Sequence, residues 1–325
     1  MPYFDLSPQE LASYRSVASE PDDFDARWAV TLGEARRHDL GLTVTPVDSV
    51  LATVDVADVT FAGFGGDPIR AWLLRPRASA DDLPVVVQFN GYGGGRGLPH
   101  ERLFWSAAGY AHLVMDTRGQ GSAWGSGGHT DDASGGGAAG GPAHPGYMTR
   151  GIVDFDSYYY RRVITDAVRA VEAARALDGV DAERVVVAGA SQGGGLAVAA
   201  AGLTEVAAVL ADVPFLCDIE RGMDVADSDP YQEICRYLAI HRHHEERALA
   251  TLRYVDGVHH AARATAPALF SAALRDPITP PSTVFAAFHA WAGPKEIVTY
   301  RFNGHEGGDQ YQWERQARFL ENLWS

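Results

Sequence analysis

The five residues Gly189-Ala190-Ser191-Gln192-Gly193 match the pattern G-x-S-x-G. A serine in such a turn, set between a strand and a helix, is presented as a nucleophile. The pattern alone is common, and its setting gives it weight. It follows the apolar run Arg184-Val185-Val186-Val187-Ala188 and precedes a small-residue stretch at 194–202. Strand, turn and helix therefore come in the required order. The helix N-terminus would also favour negative charge beside the serine.

A serine hydroxyl needs a base, and the base needs an orienting carboxylate. Chains that use this turn place them in the order Ser, acid, His. Asp276 lies in Leu274-Arg275-Asp276-Pro277-Ile278-Thr279, just past an apolar strand pattern at 268–273. His305 lies in Phe302-Asn303-Gly304-His305-Glu306-Gly307-Gly308, just past another at 296–300. Asp276 is expected to fix the tautomer of His305, and His305 to take the Ser191 proton. Asp212 and Asp309 compete for the acid's place, Asp212 because it ends an earlier strand pattern. Acyl transfer also develops an oxyanion, usually held by two backbone N–H groups. The expected donors are Gln192, next to the nucleophile, and Tyr92 in the turn Asn90-Gly91-Tyr92-Gly93-Gly94-Gly95. The Tyr92 ring would wall a small acyl group. His241, His243, His244, His259 and His260 cluster elsewhere. A polar helix surface accounts for them, so no metal is expected.

These groups need a scaffold. Apolar runs bounded by turn residues predict strands at 52–62, 69–75, 84–89, 112–115, 184–189, 206–212, 268–273 and 296–300. Helical patterns fall at 156–177, 192–202, 283–291 and 309–323. In the first of these Val163, Ala167, Val171 and Ala174 share a face. Residues 7–40 read as two polar helices. Residues 218–263, charged and without a strand, read as a helical insertion capping the sheet. The stretch 121–146, rich in Gly, Ala, Ser and Pro, reads as a long surface loop. Alternating strands and helices predict an α/β fold in one domain, 1–325, with a mainly parallel sheet and helices on both faces. Active residues of such sheets gather at the carboxyl ends of strands.

Composition narrows the partners. The chain has 325 residues, 46% of them hydrophobic, enough for a sizeable core. Its net charge of −15 argues against nucleic acid. Cys217 and Cys235 are the only cysteines and suggest neither a disulfide framework nor a zinc site. The opening Met1-Pro2-Tyr3-Phe4-Asp5-Leu6 lacks the features of a signal peptide. No apolar run approaches the ~18 residues that span a bilayer. A soluble cytoplasmic protein with a small, importable substrate is expected.

Three short motifs coincide: Arg118-Gly119-Gln120, Gly189-Ala190-Ser191-Gln192-Gly193 and His305-Glu306. With Gly91-Tyr92-Gly93-Gly94-Gly95-Arg96-Gly97, Tyr158-Tyr159-Tyr160-Arg161-Arg162 and Asp212-Val213-Pro214-Phe215-Leu216-Cys217, the chain resembles the acetyl xylan esterase/cephalosporin C deacetylase family, carbohydrate esterase family 7. The resemblance implies an α/β-hydrolase fold and deacetylation of short acetylated xylo-oligosaccharides and cephalosporin C, with no metal or organic cofactor. It implies Ser191, Asp276 and His305 as the triad, and Tyr92 and Gln192 as oxyanion donors. It also implies a cytoplasmic homo-hexamer, a dimer of trimers, and an acyl pocket near Tyr92, Phe215, Pro230 and Ile278. Arg118 and Gln120 read as residues that organise loops. Rival readings are a short-chain carboxylesterase, lipase or serine peptidase of the same fold, or a hydrolase-fold binding protein without turnover.

Overall fold

The computed structural model describes residues 4–77, 82–136 and 140–325. Residues 1–3, and 137–139 within the glycine-rich stretch, lie outside the described residues. One nine-stranded sheet organises the chain. Its strands are β1 (Thr43–Val47), β2 (Val54–Ala62), β3 (Pro68–Pro76), β4 (Leu83–Phe89), β5 (Ala111–Met115), β6 (Val180–Ala190), β7 (Ala208–Asp212), β8 (Ala268–Ala273) and β9 (Lys295–Tyr300). Their spatial order is β1-β2-β3-β5-β4-β6-β7-β8-β9. The first three pair antiparallel, β3 joins β5 antiparallel, and every pairing from β5 to β9 is parallel.

The central strands are buried on both faces, which is why they read as unbroken apolar runs. Val85, Val86 and Val87 of β4 align with Val185, Val186 and Val187 of β6, and all six are buried. Helices Phe24–Ala35, Tyr159–Arg175 and Gln192–Leu203 contribute Trp28, Val163 and Leu196 to the core on one face. Trp105, Tyr110 and, from helix Asp309–Leu323, Leu320 pack on the other. The segment between β7 and β8 is helical, with helices Ile219–Val225, Tyr231–Ile240, Glu245–Arg253 and Gly257–Ala261.

Two expectations need correction. Strand β1 was not anticipated. Pro46 interrupts its pattern and most of its residues are exposed, as an edge strand permits. The turn bearing Tyr92 therefore follows the fourth strand. The two helices expected within residues 7–40 are Pro8–Ser13 and Phe24–Ala35. The stretch 121–146 is no mere surface loop, since Thr130 and Asp132 are buried and Asp132 binds Arg118 and Arg162. The buried charge of Arg118, paired also with Asp67 and Asp166, ties this stretch to helix Tyr159–Arg175.

Candidate active site

Ser191 sits at the junction of β6 and helix Gln192–Leu203 with φ 56° and ψ −121°. A non-glycine residue pays for such a conformation in strain and keeps it only where surroundings dictate it. Here they do. A Cβ on Gly189 would lie 2.3 Å from the Gly193 backbone, and one on Gly193 would lie 2.2 Å from the Phe89 carbonyl oxygen. Only glycine at both positions lets β6, the helix and β4 close to this distance. The Ser191 amide donates to the Asp212 carbonyl at 2.9 Å, anchoring the turn to β7. Gln192 is the first helical residue, so its N–H has no intrahelical acceptor.

Asp276 is fully buried in the loop after β8. Its Oδ1 accepts from the amides of Ile278 at 2.8 Å and Thr279 at 3.1 Å. Its Oδ2 accepts from the Thr279 hydroxyl at 2.6 Å and stands 2.8 Å from His305 Nδ1. This contact directs Nδ1 to the carboxylate and leaves Nε2 as the nitrogen available to a substrate or nucleophile. Asp309 makes no such contact; it begins the last helix.

The other side of the site is a tethered turn. The Tyr92 hydroxyl lies 2.7 Å from both carboxylate oxygens of Glu233, on insertion helix Tyr231–Ile240. It accepts from the Tyr147 amide at 2.9 Å. Burial raises the Tyr92 phenol well above its ordinary range, so it remains a donor to Glu233. The Gly93 amide donates to Gln120 Oε1 at 2.8 Å. Gln120 Nε2 in turn donates to Gln192 Oε1 at 2.9 Å, and Gln192 Nε2 to the Asn90 carbonyl at 3.1 Å. One buried amide pair thus joins the turn after β4 to the residue after the serine. Trp124 caps the turn, donating from Nε1 to the Tyr92 carbonyl at 2.7 Å.

A cavity of about 790 Å³ opens over these groups, lined by Tyr92, Ser191, His305, Pro230, Ile278 and Trp124 among others. Phe215 is not part of its wall. It is fully buried, packed edge-on behind the Tyr92 ring at 6.3 Å and against Tyr231 at 4.7 Å. The Gln192 side chain also points away, into the amide pair. Asp212 reaches the cavity, but its only hydrogen-bonded oxygen is Oδ2, 2.7 Å from Gln316 Nε2. Burial pushes its carboxyl up to about 7. The insertion histidines are dispersed. His241 stacks on His244 with His243 tilted against the pair, while His259 and His260 pack against Phe24. Among the described residues no three His, Cys, Asp or Glu side chains converge as a metal site would require. Thr279, Glu233 and Trp124 escaped the sequence reading. Only Thr279, three residues from Asp276, carried a local signal, as a turn residue able to bind an Asx carboxylate.

The sequence model of the acetyl xylan esterase (AXE1) family matches residues 1–323. An acetyl xylan esterase from Paenibacillus sp. R4 superposes with a TM-score of 0.89 at 37% identity, over 98% of this chain and 99% of that one. Acetyl xylan esterase 1 from Thermoanaerobacterium sp. JW/SL YS485 gives 0.88 at 31% identity, over 99% and 100%. The acetyl esterase Axe7A of Xylanibacter ruminicola is 29% identical over 310 residues, 92% of this chain. The chain spans 66% of the length of that relative. No described helix is long and apolar enough to cross a membrane. A family match over nearly the whole length, on a fold shared with two solved esterases at more than 30% identity, makes this chain a member of the acetyl xylan esterase family.

Proposed function

We propose that this protein is a serine esterase that removes acetyl groups from acetylated xylo-oligosaccharides and similar small acetyl esters, cephalosporin C included. The observation that carries the reading is the approach of His305 Nδ1 to Asp276 at 2.8 Å, in a cavity that His305 shares with the strained Ser191. His305 Nε2 takes the Ser191 proton as Oγ attacks the acetyl carbonyl. The Tyr92 and Gln192 amides hold the oxyanion. Protonated His305 then gives its proton to the departing sugar alcohol, leaving an acetyl-serine. A water activated by the same histidine attacks that ester, and acetate leaves. Asp276 stays ionised and holds the imidazole throughout.

Tyr92, Pro230 and Ile278 give the acyl pocket its wall, and Phe215 holds the Tyr92 ring in place from behind. Bulk this close to the serine favours acetyl over longer acyl chains. The reading needs no metal or organic cofactor and no nucleic-acid or membrane partner. It carries with it the single domain that the strand–helix alternation predicts, a cytoplasmic setting, and a hexamer built as a dimer of trimers, the last of which rests on the family resemblance alone.

The test is acetate release from acetylated xylo-oligosaccharide by the wild type and by Ser191→Ala. The wild type is expected to act, and the variant to lose several powers of ten in rate. Equal rates would remove Ser191 from the mechanism. Inactivity of both would remove the sugar ester.

A further inference from the structure

The catalytic cavity contains a cation that the acyl-transfer chemistry does not use. Arg102 lines it, in the turn between β4 and β5. Its Nη2 donates to the neutral side-chain oxygen of Asn90 at 3.1 Å. Its Nε is buried and has no hydrogen-bond partner. Among the described residues no carboxylate is within salt-bridge distance of it, in contrast to the buried Arg118 with its three aspartates. Burial pushes the guanidinium down from its usual range, and the charge of the neighbouring Glu101 offsets only part of that. Burying an unpaired charge is costly, and such groups ordinarily meet a counter-ion.

Of the carboxylates that share the cavity, Glu101, Asp229 and Glu306 are engaged by other groups, and Asp212 is bonded to Gln316 while burial pushes its carboxyl up to about 7. Glu101 accepts from the Ser126 hydroxyl. Asp229 pairs with Arg236 at 2.6 Å. Glu306 accepts from Asn303 and from the Gly304 amide. Asp309 lies in the first turn of its own helix, where the dipole favours an anion. Apart from Glu101, the cavity wall beside Arg102 is apolar, with Leu103, Phe104, Trp105 and Trp313. His112 beside it is held neutral, since burial pushes it down to about 3. A low-dielectric pocket with a guanidinium that no carboxylate pairs with among the described residues suits a carboxylate. Asn90, which Arg102 touches, is two residues from Tyr92, so the cation is tied through Asn90 to the turn of the expected oxyanion donor.

We propose that Arg102 is an anion subsite of this cavity, taking the carboxylate of acetyl esters whose alcohol part is acidic. The proposal rests on the esterase reading and names a substrate class within it.

The test compares 4-acetoxybenzoate with its neutral counterpart 4-acetoxybenzamide, as the ratio of their kcat/KM values. The wild type, Arg102→Gln and Arg102→Lys are each measured, with a melting curve to show that they fold. Taking a ratio cancels any general disturbance passed through Asn90. The ratio is expected to fall about ten-fold in Arg102→Gln, mostly through KM, and to recover in large part in Arg102→Lys. An unchanged ratio, with the benzamide still turned over, overturns the subsite and leaves the esterase reading standing. If the wild type releases acetate from neither ester, the esterase reading falls and the subsite with it. Should Arg102→Gln fail to fold, product inhibition of the wild type decides. Stronger inhibition by 4-hydroxybenzoate than by 4-hydroxybenzamide supports the subsite, and equal inhibition overturns it.

Discussion

Asp276 and Asp212 stand at the carboxyl ends of neighbouring parallel strands, β8 and β7, and both are buried beside the same cavity. Four donors converge on Asp276: two backbone amides, the Thr279 hydroxyl and His305. That number matches the lone pairs of an anion. Among the described residues the Asp212 carboxyl receives one hydrogen bond, from Gln316 to Oδ2, and its Oδ1 receives none. Ser271 and Gln312 stand close and soften its upward shift, yet neither reaches Oδ1 with hydrogen-bond geometry. Burial is the larger influence, and the carboxyl is pushed up to about 7. The two residues are equivalent in sequence terms, an aspartate after a late strand. What separates them is the supply of donors, and with it the capacity to hold an imidazole in place.

The largest effect that tests this contrast is at Asp276 itself. Asp276→Asn should lower kcat by roughly 10⁴, because an amide no longer holds the imidazole tautomer. Steady-state acetate release measures it, and a loss below ten-fold would place the acid elsewhere. Glu233→Gln should cost about ten-fold in kcat with little change in KM, since it weakens a charge-assisted bond that positions the turn rather than one that binds substrate. A rise in KM alone would make Glu233 part of the binding surface instead. Thr279→Val removes one of the four donors and should lower kcat a few-fold, by about 1 kcal/mol of barrier.

Asp212→Asn should change kcat by less than about three-fold, and its signature lies in stability. Asp212 titrates near 3.8 in the unfolded chain and about 7 in the folded protein. Between those values the folded state keeps a proton that the unfolded chain has released. Its contribution to stability is therefore full below about pH 4, falls as pH rises and is lost above about 7, by roughly 1 kcal/mol per pH unit within that window. The asparagine variant lacks this slope. Its melting temperature relative to wild type should rise between pH 5 and pH 8. A constant difference would mean that Asp212 is already ionised at pH 5.

Much of this site was readable because its parts are local. Gly189, Ser191 and Gly193 act within one turn, and β6 before them and the helix after them have their own apolar signatures. Asp276 and His305 each follow a fully or largely apolar strand. Tyr92 was legible as a residue in a glycine turn. The partner that holds it was not, because Glu233 is 141 residues away and looks like any charged residue of a solvated helix. Trp124 was hidden in a stretch whose glycines read as a loop, and the buried threonine and aspartate of that stretch show that small residues there serve close packing. The family resemblance, not a local signal, placed Phe215 at the acyl pocket. The chain folds it one layer deeper, where it supports Tyr92. Strand β1 was missed because edge strands need no buried pattern and tolerate Pro46.

The most direct measurement is acetate release at pH 8 by Asp276→Asn and Asp212→Asn side by side, on acetylated xylo-oligosaccharide. The account predicts near-complete loss in the first and near wild-type turnover in the second. The reverse order would make Asp212 the acid that holds His305 and would contradict the geometry on which the mechanism rests.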